Sequence, residues 1–153
     1  MKPLETTVEE VLRKAIQSEV DTRAYYQKLA ERAATPEVRK RLLELADMEL
    51  VHRAKLERKY RQTIGHDAPD PDPPTVEIPI DIDNLDMSRA LKLALERERD
   101  SESYFRFMAE RVPNTELGRL FMELAEIEWK HKTDLQAEYD STVHDPEQFL
   151  LDM

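Results

Sequence analysis

Slid against itself by 79 positions, without a gap, the chain aligns residues 8–62 with residues 87–141. Leu12, Ala15, Glu19, Asp21 and Tyr25 fall on Leu91, Ala94, Glu98, Asp100 and Tyr104. Ala30-Glu31-Arg32 falls on Ala109-Glu110-Arg111, and Glu44-Leu45-Ala46 on Glu123-Leu124-Ala125. Leu56 with Leu135 and Tyr60 with Tyr139 close the run. A segment repeated over this length folds twice into the same unit and buries the same positions twice. That constrains the fold more than any other feature of the chain.

Within each copy the apolar positions recur three and four residues apart, the period of an amphipathic helix. The first helix begins at Thr6 or Thr7, where Thr6 with Glu9 and Thr7 with Glu10 both offer a capping box, and runs to about residue 33. Thr35 caps the second, with Pro36 in its first turn, and the pattern continues to about residue 62. Asp86 caps the third, which ends near Val112, and Asn114 caps the fourth, which fades near Ser141. Each helix is about 40 Å long at 1.5 Å per residue. Connections of about two residues make each pair an antiparallel hairpin.

Between the hairpins lie residues 63–86, with Pro69, Pro71, Pro73, Pro74 and Pro79. Extended, they span roughly 80 Å, ample to run back along a bundle. The alternation in Thr75–Ile82 suits an extended segment on a surface. The expected architecture is therefore all-α: a single domain over 1–153, a four-helix bundle of two duplicated hairpins (6–62 and 87–141), a Pro-rich crossover (63–86) and a tail (142–153). The same linker allows hairpins to exchange between two chains. In the tail, Phe149-Leu150-Leu151 is placed to dock on the bundle or a neighbour.

Two copies of Glu-x-x-His, Glu49–His52 and Glu128–His131, sit in register within the repeat. Thirty residues before each first glutamate stand Glu19 and Glu98. All six share stripes with apolar residues: Leu42, Leu45 and Leu56 flank Glu49 and His52, while Leu12, Ala15 and Leu29 flank Glu19. Burying one unpaired carboxylate costs several kcal/mol, so four on core stripes require a cation among them. Four carboxylates and two imidazoles from four helices are the ligand set of a two-metal site. Glu49 and Glu128 are placed to bridge, with Glu19 and His52 on one metal and Glu98 and His131 on the other. Oxygen-rich ligation with one imidazole per metal suits two iron ions; manganese or zinc also fits.

Other residues carry less. Tyr26, seven after Glu19 on the core face, is a candidate to hydrogen-bond a ligand carboxylate, or else a core aromatic; its counterpart is Phe105. Trp129 reads as a packing residue, because it points about 100° away from Glu128. His66 and His144, in the linker and tail, read as solvated.

Composition removes several classes. With 33 acidic against 23 basic residues and a net charge of −10, there is no basic stripe for nucleic acid. No cysteine is present, which excludes disulfides, thiolate zinc and a four-cysteine iron centre on this chain. No apolar run approaches about 18 residues, so no membrane span is expected. The N-terminus lacks the apolar stretch of a signal peptide, and a cytoplasmic location is expected.

The pattern Glu19…Glu49-x-x-His52…Glu98…Glu128-x-x-His131, in a hairpin–crossover–hairpin layout, resembles the ferritin-like superfamily. It is most similar there to the rubrerythrin-related branch that lacks a rubredoxin domain. The resemblance covers about residues 6–141. It implies a non-haem di-iron oxidoreductase reducing hydrogen peroxide or oxygen, with an external electron donor protein in place of the missing four-cysteine domain. It also implies a homodimer or higher homo-oligomer. A ferroxidase or iron-storage role is the alternative within the same chemistry, and a non-catalytic metal-binding scaffold is the alternative outside it. Rubrerythrins carry a further glutamate on the third helix, one turn from the one matching Glu98. Here Leu95 and Ser101 stand on that stripe and neither replaces it, leaving Glu102 as the carboxylate in reach. Where bacterioferritins place an aspartate before the Glu-x-x-His glutamate, this chain has Met48 and Ile127.

Overall fold

A computed structural model describes residues 4–79 and 81–143. The chain folds as two compact units, Met1–Asn84 and Leu85–Met153. The first holds helices α1 (Leu4–Glu31) and α2 (Pro36–Ile64), the second α3 (Met87–Arg111) and α4 (Glu116–Val143). Each unit is an antiparallel helical hairpin. The tail segment 149–151 and His144 lie outside the described residues.

The caps explain the helix limits. Thr35 Oγ1 accepts from the Val38 backbone N–H at 3.3 Å, and Pro36 follows in a position whose N–H has no partner to lose. Asp86 Oδ1 accepts from the Arg89 N–H at 2.8 Å and starts α3. Gly65, at φ +98°, ends α2 and returns its N–H to the Arg61 carbonyl at 2.9 Å. Two expected starts move. α1 begins at Leu4, ahead of both threonine caps proposed for it. The cap of α4 is Thr115, whose Oγ1 accepts from the Gly118 N–H at 3.0 Å and donates to the Val112 carbonyl at 2.6 Å. Asn114 stands one residue earlier in the left-handed region, φ +61°, a conformation asparagine tolerates in a tight turn.

In the first unit the crossover lies along α1. Its prolines lack N–H groups and cannot build a ladder, so side chains of α1 satisfy its backbone instead. The Gln17 amide donates to the Asp72 carbonyl at 3.1 Å and accepts from the Asp72 N–H at 2.8 Å. The Thr75 N–H donates to Asp21 Oδ1 at 3.2 Å. Lys28 donates to the Val76 carbonyl at 3.4 Å and Arg32 to the Ile82 carbonyl at 3.3 Å. These contacts climb α1 from its middle to its end, returning the chain to the end of the hairpin where α2 began.

The cores follow the stripes. Leu12, Ala15, Tyr26, Leu29, Leu42, Leu45 and Leu56 are buried in the first unit. In the second, Leu91, Ala94, Phe105, Phe121, Leu124 and Leu135 are buried, with the Phe105 and Phe121 rings stacked at 6.1 Å. Tyr60 is wholly buried at the open end of the first hairpin, and its hydroxyl donates to Glu9 Oε1 at 2.7 Å. Burial and that carboxylate push the Tyr60 phenol above its ordinary pKa. His66, read as solvated, packs edge-on against Tyr60 at 5.8 Å while staying exposed.

Candidate metal centre

In the first unit, α1 brings Glu19 and α2 brings Glu49 and His52 to one place. Donor atoms of the three lie within 4.8 Å of one another. Their exposures are 4%, 3% and 3%, so water does not solvate the carboxylates. His52 Nδ1 is 3.5 Å from Glu19 Oε2 and 3.3 Å from Glu49 Oε2. The three-residue spacing of Glu49 and His52 sets both on one side of α2. Thr22, one turn along α1 from Glu19, is buried with them.

The electrostatics of this triad call for a positive charge. Burial, then the neighbouring Glu49 carboxylate, push the Glu19 pKa well above its ordinary value, and His52 pulls it back only in part. Glu19 Oε2 is buried without a hydrogen-bond partner in good geometry. Two buried carboxylates and an imidazole nitrogen, all within the reach of one ion, are a hard-oxygen donor set with one nitrogen. They fit a divalent iron or manganese ion.

The second unit carries the equivalent residues. Glu98 on α3 and Glu128 on α4 are buried, and His131 is half-buried. Donor atoms of Glu128 and His131 also lie within 4.8 Å of each other. Glu98 is not drawn into so tight a cluster with those two among the described residues. The two halves of the repeat therefore differ: the first triad is closed and shielded, the second more open on its histidine side.

Glu102 is a buried charge that the stripe argument left aside. Lys132 donates to its Oε1 at 2.6 Å and Arg106 to its Oε2 at 2.8 Å. Burial raises its pKa, but the two cations outweigh burial and hold the carboxyl below its ordinary range. Both its oxygens are thus committed to cations of its own unit. The signal was present in sequence as Arg106 four residues on, whereas Lys132 needed the pairing of α3 with α4. Tyr26 is fully buried, 5.7 Å from the Tyr25 ring in an edge-on contact. Trp129, expected to pack, is half exposed.

The rubrerythrin family model matches residues 10–139. No curated protein matches the chain. Among solved structures, a hypothetical protein from Pyrococcus furiosus is 25% identical, with a TM-score of 0.62 over 89% of this chain and 90% of that one. A bacterioferritin of Rhodobacter capsulatus, described with a metal-free dinuclear site and a haem iron, is 21% identical. Its TM-score is 0.67 over 99% of this chain and 94% of that one. The fold is the ferritin-like four-helix bundle, built of two helix hairpins joined by a long crossover.

Proposed function

This chain belongs to the rubrerythrin family, and on that premise we propose that it is a di-iron carboxylate oxidoreductase that reduces hydrogen peroxide, its two hairpins acting as one ferritin-like domain. Glu19, Glu49 and His52 hold one iron and Glu98, Glu128 and His131 the other. The observation that carries this reading is the Glu19–Glu49–His52 triad: three donors within one ion's reach, shielded from water and short of positive charge. Two ferrous ions bound to these residues supply one electron each, the two electrons that turn one hydrogen peroxide and two protons into two waters.

The protein's own part is positioning and charge. Four carboxylates balance two divalent ions, so the buried cluster becomes neutral on loading. In their absence the Glu19–Glu49 pair favours a shared proton, which uptake displaces, making affinity rise with pH. The ligands project from rigid helices whose apolar neighbours Ala15, Leu45 and Leu56 exclude water. Glu102, locked by Lys132 and Arg106, stays outside the ligand set. With no cysteine on the chain, electrons returning the site to its ferrous state come from a separate donor protein. The protein works in the cytoplasm. Among the described residues no helix is long and apolar enough to cross a membrane.

Anaerobic ferrous titration of the metal-free protein, followed by stopped-flow absorbance on adding peroxide or oxygen, tests the reading. Saturation at two irons per chain with faster oxidation by peroxide supports it. Faster oxidation by oxygen replaces it with a ferroxidase, the reading favoured by the bacterioferritin-like fold. Saturation without oxidation replaces it with a metal-stapled scaffold. Glu49→Ala and His131→Ala each abolish two-metal binding; two irons per chain in both variants would overturn the ligand assignment.

A further inference from the structure

The crossover covers one face of α1, and the matching face of α3 stands open. In the first unit residues 68–72 stand across a cleft from Glu10, Arg13, Lys14 and Gln17, and Gln17 ties down the Asp72 backbone by two bonds. The 79-residue frame carries those four α1 positions to Arg89, Lys92, Leu93 and Glu96. The same four line a cleft of about 450 Å³ in the second unit, with Tyr139, the counterpart of Tyr60, on its other side. Its cover is thinner than in the first unit. Gln17 and Asp21 are half-buried and Tyr25 is buried, whereas Glu96 and Asp100 are exposed and Tyr104 is half-buried.

The sequence after α4 repeats the sequence after α2. Thr63-Ile64-Gly65-His66-Asp67-Ala68-Pro69 returns as Thr142-Val143-His144-Asp145-Pro146, shorter by the equivalents of Gly65 and Ala68. Residues 144–153 lie outside the described residues. We propose that residues 145–151 dock in the α3 cleft as residues 68–72 do on α1, with Phe149 and Leu150 against Leu93.

Length, charge and polarity support this occupant. Residues 65–72 carry the chain from the end of α2 to Gln17, and residues 144–151 are equal in number, reaching about 26 Å when extended. Glu10 of the first cleft is replaced by Arg89, which joins Lys92 as a second base, while the tail brings Asp145 and Glu147 and no lysine or arginine. Asp86, also in the cleft, is committed to capping α3. Lys14 is replaced by Leu93, and in the frame set by Pro69 and Pro146 the facing Asp72-Pro73 is replaced by Phe149-Leu150. Wall and cover turn more apolar together, which keeps them matched and rewards their contact with burial. Glu96 retains the accepting half of the Gln17 bonds and takes the Phe149 N–H. Tyr139 lies one turn before the end of α4, so the tail leaves that helix at the edge of the cleft. A tether this short holds it there at an effective concentration of about millimolar, ahead of a second copy or a separate protein.

The chain has no cysteine, so an introduced pair is unique. In the full chain, Leu93→Cys with Phe149→Cys closes a disulfide within one molecule on mild oxidation. Phe107→Cys with Phe149→Cys, whose first site is exposed on α3 outside the cleft, closes at least about tenfold more slowly. In the unmodified protein the amides of residues 147–151 exchange with solvent at least about tenfold more slowly than in the same segment as a free peptide. Leu93→Lys, which installs the residue that α1 carries at this position, abolishes that slowing and leaves exchange in the helices unchanged. Phe149→Asp, in the tail itself, does the same. Disulfides that form between molecules overturn the proposal, because the cleft is then filled by another copy. Equal rates for the two cysteine pairs, exchange as fast as in the free peptide, or slowing that survives both substitutions also overturn it.

Discussion

Replacing Glu19 by glutamine is expected to make the metal-free protein more stable and the metal-loaded protein less so. The Glu19 and Glu49 carboxylates are almost wholly buried with donor atoms within 4.8 Å. At that separation two full charges repel by about 3 kcal/mol at an effective dielectric of 20. The metal-free protein escapes part of this by keeping a proton on Glu19, whose pKa burial and Glu49 have raised. What remains is expected to be about 1–2 kcal/mol at neutral pH. The sign with pH follows from the raised folded pKa. The stabilisation that protonated Glu19 provides is complete below the unfolded value, about 4.3, and is lost as pH rises through the folded value. Glutamine stays neutral throughout, so the advantage of the variant is near nil at about pH 4 and grows towards pH 8.

Manganese(II), which avoids oxidation during the measurement, is expected to reverse the order. A ligand at a hundred times its dissociation constant stabilises by about 2.7 kcal/mol, and the variant, lacking one anionic oxygen, gains less. Urea unfolding between about pH 4 and 8, with chelator and then with manganese(II), reads both halves. The reasoning is refuted if metal-free Glu19→Gln is less stable than wild type at pH 8, or if both proteins gain equally from the ion.

Four further substitutions test the hairpins. Gly118→Ala puts a Cβ 2.2 Å from the Val112 carbonyl oxygen and is expected to cost about 1–3 kcal/mol by urea unfolding. Gly65→Ala meets open space and is expected to cost only the left-handed backbone penalty, about 1 kcal/mol. Tyr60→Phe removes the bond to Glu9 and is expected to lower stability by about 1–2 kcal/mol, with binding of the first ferrous ion unchanged by titration. Glu102→Gln is expected to cost about 2 kcal/mol at pH 7. The folded pKa of Glu102 is depressed, so its contribution is present above about pH 4.3 and is lost as pH falls through the folded value. Wild type and variant therefore converge in acid unfolding curves.

The helices and hairpins were legible because a local rule decides them. Thr35-Pro36 and Asp86 start helices by bonds that reach only three residues, and the 3.6-residue stripe names the buried face before any partner is known. The burial of Glu19, Glu49, Glu98 and Glu128 follows from the same stripe. At the α3–α4 turn the expected cap was Asn114, and the bonds of Thr115 to the Val112 carbonyl and the Gly118 N–H move the cap one residue on. Features set by pairing between elements were not legible. The grip of Gln17 and Asp21 on the crossover depends on where a proline-rich segment lies on α1.

The repeat itself explains the remaining difference between expectation and structure. A duplication keeps what both halves need and lets the rest diverge, so each shared position asks for a reason in both contexts. For Glu49 and Glu128 the reason is inside the hairpins, where both are buried. For Leu50 and Trp129, one residue further on, it is not, since both stay exposed. Sequence logic read Trp129 as a packing residue, and the structure supplies no partner surface for it within α3 and α4 that removes it from water. The sign inversion between Arg61 and Asp140, equivalent positions on the two faces, makes the faces unlike at their rims while their centres stay alike.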